Sequence, residues 1–196
     1  MSGEAPAPED QARANFYGLL ARLFYAPPDR ELLETLAVAG ELAAEGGSSP
    51  LALAWTELRR AAAAADPEAV REEYETVFVG TGKAEVTLYT GAYTARNASH
   101  NPLVDIRGYL AAHQLARREE ASEPEDHIAA LCDVMRHLVA SADVAAQREF
   151  FEKYLSPASG PLCNAVIQCE RAAFYGHVVR FAKMFFVLEH SAFEMD

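Results

Sequence analysis

The tightest constraint on this chain is its shortage of strand signals. Apolar residues return every third or fourth position over most of its length. No β-branched run is long enough for a buried strand, and the nearest is Val77-Phe78-Val79. Phe16, Leu19, Leu20, Leu23 and Phe24 make one helical face from about residue 9, stopped by Pro27-Pro28. Asp29 is placed to cap a second helix carrying Leu32, Leu33 and Leu36. Gly46-Gly-Ser-Ser-Pro50 reads as a loop before a helix over about 50–65. Asp66-Pro67 has the order of a cap and a first helical residue. Tyr74 and Phe78, on the next apolar face with Val70 and Val77, are expected to be structural.

Periodicity resumes at Pro102 with Leu103, Ile106 and Leu110. It returns after Ser122 with Ile128, Leu131, Cys132, Met135 and Leu138. A further helix over about 143–155 is expected to be broken by Ser156-Pro157 and Gly160-Pro161, and a last one runs from Leu162 to about His190. The pattern predicts an all-α, single-domain helical bundle of about eight helices over 9–196, behind a flexible tail at 1–8.

Between 79 and 101 the helical pattern lapses. Gly80, Gly82 and Gly91 interrupt it, and Tyr89 and Tyr93 stand among small residues. Long internal loops in compact domains are disproportionately functional, so the two tyrosines are candidates for partner contact. Gly80 fits a helix C-cap after Phe78. Gly80-Thr-Gly82-Lys83 is only a fragment of a phosphate loop, with no preceding strand.

The charge balance limits the partners. Seventeen Lys and Arg against 29 Asp and Glu give a net charge of −12 over 196 residues. Such a surface repels nucleic acid and suits a cationic peptide. A hydrophobic content of 51% excludes disorder along the whole chain. No signal peptide or bilayer-length apolar segment is visible, so no membrane insertion is expected. Cys132, Cys163 and Cys169 do not form a disulfide framework, and with the scattered histidines they do not form a metal site. A cytoplasmic protein with free thiols follows.

The densest chemistry is Glu119-Glu-Ala-Ser-Glu-Pro-Glu-Asp-His127, with five carboxylates and one imidazole in nine residues. Two helix starts are open: Glu123 as cap with Pro124 first, or a capping box of Ser122 and Glu125. In both, Glu123 and His127 face each other across one turn. The acids either cap the helix or receive guanidinium groups. Catalysis is disfavoured, because Asp126 does not orient His127 and no nucleophile is near.

Three stretches together resemble one family. They are Arg13-Ala-Asn-Phe-Tyr17 through Leu20-Ala-Arg-Leu-Phe-Tyr-Ala-Pro-Pro-Asp29, Glu73-Tyr-Glu-Thr-Val-Phe-Val-Gly-Thr-Gly82 with Leu88-Tyr-Thr-Gly-Ala-Tyr93, and Glu123-Pro-Glu-Asp-His127 with its following helix. Their order and spacing are similar to the TorD/DmsD-like redox-enzyme maturation chaperones, including NarJ-like relatives. Leu88 and Gly91 stand where relatives often carry Pro and Ser.

The resemblance implies a non-enzymatic, cofactor-free cytoplasmic chaperone. Its partner would be the catalytic subunit of a molybdenum-cofactor-containing oxidoreductase and that subunit's twin-arginine leader, held back from Tat export until the cofactor is inserted. Glu123, Asp126, His127, Tyr89 and Tyr93 are the implied partner-binding residues. Asp126 and Glu123 would pair with arginine, and His127 is alternatively a support for the 79–93 loop. Two other readings are a chaperone gripping only the mature apo-subunit and a weak GTP-binding or GTP-hydrolysing protein using Lys83. A monomer or a domain-swapped homodimer is expected.

Overall fold

A computed structural model describes residues 7–42, 49–80, 83–95, 101–115 and 122–195. Outside them lie the tail at 1–6, most of the Gly46–Pro50 loop, Thr81 and Gly82, part of the 79–101 segment, and the acidic Glu119 and Glu120. The chain is all-α. Among the described residues there are ten α-helical segments and no strand: α1 (Pro8–Tyr25), α2 (Arg30–Val38), α3 (Pro50–Ala64), α4 (Pro67–Tyr74), α5 (Gly91–Thr94), α6 (Pro102–Ala112), α7 (Ile128–Ala140), α8 (Val144–Phe150), α9 (Ser156–Gln168) and α10 (Phe174–Met195). The segment expected to be a long loop therefore contains a one-turn helix, α5. No described helix is long and apolar enough to cross a membrane.

The helices fall into two compact units. One comprises 1–25 and 88–158, the other 26–87 and 159–196. In the first, α1 packs along α7. Tyr17, Leu20, Leu23 and Phe24 from α1 and Leu131, Cys132 and Met135 from α7 are all buried. Full burial of each large apolar side chain contributes about 1.5–3 kcal/mol. Tyr17 is wholly buried, whereas Phe16 and Leu19, two residues of the expected apolar face, are only partly covered. Gln147, 1% exposed, accepts from Arg13 at 3.0 Å and donates to the Leu138 carbonyl at 3.2 Å, linking α1, α8 and α7.

In the second unit α3 packs on α10 and α2. Trp55 lies 5.1 Å from Phe181, and its indole N–H donates to the Gly40 carbonyl at 2.8 Å. Tyr74 and Phe78 both pack against Tyr175, at centroid distances of 5.6 and 4.9 Å. They are core residues, both buried. Helix α4 widens into a π-helical turn, Glu75–Val79, which ends at Gly80 with φ 66°. A Cβ at Gly80 would meet the Lys83 carbonyl oxygen at 2.3 Å, so both conformation and space require glycine.

Two expected breaks shift. Ser156-Pro157 and Gly160-Pro161 do not end a helix. After α8 the chain makes a second π turn, Phe151–Leu155, and enters α9 directly. Pro157 is the second residue of α9 and follows the π turn directly, where the wider turn carries the chain past its missing N–H. Pro161 lies inside α9 and forfeits one hydrogen bond, while Leu162, Cys163 and Val166 beside it are buried.

The expected single helix from Leu162 to His190 is instead α9 and α10, separated at 169–173. The start of α10 is supported from far away. Both oxygens of Glu73 accept the first α10 amides, Phe174 at 3.0 Å and Tyr175 at 2.8 Å. A carboxylate there satisfies orphan donors and meets the positive helix end.

Candidate functional site: a groove beside the start of α7

Helix α7 begins later than its acidic prelude suggests. His127 is its N-cap and Ile128 its first residue. The expected starts at Ser122 or Glu123 do not form. Pro124 lies in a turn closed by the His127 N–H on the Pro124 carbonyl at 3.1 Å. Glu123 and His127 are therefore not one helical turn apart.

The cause is the segment 88–91. Tyr89 and His127 form an isolated antiparallel bridge. The Ile128 N–H donates to the Leu88 carbonyl at 2.9 Å, and the Thr90 N–H to the Asp126 carbonyl at 2.8 Å. The Thr90 hydroxyl donates to that same carbonyl at 2.8 Å. His127 is held extended by this pairing, with ψ 134°, so the helix starts only after it. Its Nδ1 accepts the Ala129 N–H at 3.2 Å, which leaves the proton of the neutral ring on Nε2. Burial pushes the imidazole pKa down, and the nearby Glu123 charge opposes this.

Asp126 is 9% exposed and turned inward. The backbone N–H groups of Gly91 and of Asp126 itself lie near its carboxylate and favour the charged form. A Cβ at Gly91 would stand 2.9 Å from Asp126 Oδ2, so glycine permits this close approach. Burial raises the Asp126 pKa, while the two N–H groups and Arg107 act in the other direction.

Glu123 points elsewhere. It lines a groove of about 960 Å³ beside α1, α6 and α7. The Tyr89 hydroxyl donates to Glu123 Oε2 at 2.6 Å, and the edge-on Tyr89 and His127 rings lie 5.4 Å apart. The Glu123 bond, with burial, pushes the Tyr89 phenol up to about 12. Glu125 also lines the groove and accepts from Arg107 Nε at 2.9 Å. Asp133, a third lining acid, pairs with Arg136 at 2.7 Å. Leu110, Leu115 and Val134 supply apolar wall, and Gly18, Ala21 and Ala130 are among its small residues. At Gly18 a Cβ would fall 2.9 Å from Arg136 Cδ, so Arg136 lies close across α1.

Thus Glu123 reaches the groove, Tyr89 reaches Glu123, and Asp126 and His127 are buried and do not line it. Tyr93, in α5, is half-buried and does not line it either. Tyr74, Phe78 and Gly80 belong to the other unit. Asp133, Arg136 and Tyr25 were not legible as site residues. The only signal was that Ala130, Asp133, Val134 and His137 repeat at helical spacing on the side of α7 away from its core stripe. No group of three or more metal-ligating side chains exists among the described residues.

A family model described as "Nitrate reductase delta subunit" matches residues 44–164. The chain belongs to this family. "Chaperone protein TorD" of Shewanella loihica is 26% identical over 199 residues, covering 94% of each chain. "Chaperone protein TorD" of Aliivibrio fischeri is 30% identical over 81 residues, a match covering 40% of this chain and 38% of the relative. These matches place this member of the nitrate reductase delta subunit family among the TorD-like maturation chaperones. The Glu123–His127 turn and the whole of α7 lie within the matched region.

Proposed function

We propose that this chaperone binds the twin-arginine leader of a molybdenum-containing oxidoreductase subunit in the cytoplasm, and holds the apo-subunit for cofactor insertion before Tat export. It does so by binding, without catalysis. The observation that carries this reading is the groove itself, where the carboxylates of Glu123 and Glu125 meet an apolar wall from α6 and α7. A leader of this class offers two guanidinium groups followed by an apolar run. Carboxylates accept guanidinium hydrogen bonds in charge-assisted pairs, and the apolar run covers Leu110, Leu115 and Val134. A net charge of −12 speeds encounter with a basic peptide and makes it salt-sensitive.

Calorimetry with a synthetic leader tests the proposal. Binding is expected, weakened about tenfold when both arginines become lysines, because an ammonium cannot reproduce the guanidinium fork. Equal binding of the two peptides removes the arginine-reading role. Binding of the apo-subunit without its leader, and none of the leader alone, moves recognition to the mature subunit.

A further inference from the structure

We infer that Tyr89 is a specificity-determining positioning residue: its hydroxyl fixes the Glu123 carboxylate at the groove, so that this acid reads a guanidinium rather than any cation. The inference rests on the reading of the groove as a leader site. A carboxylate on a free side chain rotates and accepts an ammonium or a guanidinium with little preference. One whose plane is fixed matches a planar fork better than a point charge.

The O–H···O contact of 2.6 Å has the length of a charge-assisted bond. Its donor is itself immobilised. The Tyr89 ring stands edge-on to His127, and its backbone is bridged to that same residue. The flanking bonds from Ile128 to Leu88 and from Thr90 to Asp126 hold the segment on both sides. The phenol keeps its proton at neutral pH and brings no counter-charge to Glu123. Asp126 and His127 then act on the groove indirectly. They anchor the segment that carries Tyr89, and Tyr89 orients the acid that touches the ligand.

A double-mutant cycle tests this, with the full chain, a twin-arginine leader peptide and its twin-lysine counterpart. Tyr89→Phe keeps the ring against His127 and removes only the hydroxyl. The wild type is expected to prefer the arginine peptide about tenfold, and Tyr89→Phe to reduce that preference to about twofold. On a Glu123→Gln background, Tyr89→Phe should change nothing further, an outcome that a purely structural role would not produce. An unchanged preference in Tyr89→Phe, or an equal loss on both backgrounds, overturns the inference and leaves the leader reading standing. If the wild type binds neither peptide, the leader reading falls and this inference with it.

Discussion

Helix α7 and helix α10 both need partners for their first amides, and they find them at opposite distances. The α7 cap is the adjacent residue, His127, held in place by pairing with Tyr89. The α10 cap is Glu73, about a hundred positions earlier in the chain. At α7 the residues that look like caps, Ser122 and Glu123, are occupied elsewhere, by the hydroxyls of Tyr25 and Tyr89. At α10 nothing that precedes Phe174 looks like a cap. A helix start is thus a tertiary decision in both places. Good local cappers are here diverted from capping to partners distant in sequence.

The comparison can be broken by substitution. The largest effect is expected at Glu73→Ala, which leaves two helix-end amides without their acceptors and should cost about 2–3 kcal/mol in urea unfolding. Glu73→Gln keeps one acceptor oxygen and should lose about half of that. The Phe174 and Tyr175 amides should exchange faster in both variants. Unchanged exchange would show that Glu73 is not the cap.

Gly91→Ala comes next. Its Cβ would press on Asp126 Oδ2 and loosen the 88–91 segment. About 1–2 kcal/mol of stability should be lost, together with part of the leader affinity. If stability falls and affinity does not, the segment is scaffolding only.

The smallest effect is a pH slope at His127. The folded imidazole pKa lies below the ordinary 6.5. Below about pH 6.5 the unfolded chain takes up a proton that the folded chain refuses, so stability falls with pH until the folded ring also protonates. His127→Asn retains a capping side chain and removes the titration. Unfolding at pH 7.5 and 5.5 should show a smaller difference in the variant than in the wild type.

Much of the fold was legible because it rests on local rules. Asp29, Ser49, Asp66 and Asn101 cap the helices that follow them, and Pro50, Pro67 and Pro102 stand at first helical positions. The misplaced boundaries are those set by contacts distant in sequence. The bridge from Tyr89 delays α7, Glu73 caps the start of α10, and a π turn carries the chain past Pro157. At the site, residue types identified Glu123 and the acidic turn as a centre of charge. They did not distinguish the acid facing the groove from Asp126, which faces the Gly91 backbone. That choice depends on which carboxylate lies against the Gly91 backbone, which belongs to another stretch of the chain.

The side chain of Arg136, laid across α1 where Gly18 has none, borders two hollows. It lines the large groove on one side and a pocket of about 140 Å³ beside Asp10, Gln11 and Val139 on the other. Ala14 and Asn15 of α1 border both hollows with it, so this arginine stands where the groove approaches the beginning of α1. A truncation such as Arg136→Ala would remove side-chain bulk from both hollows at once and leave Glu123 and Glu125 where they stand.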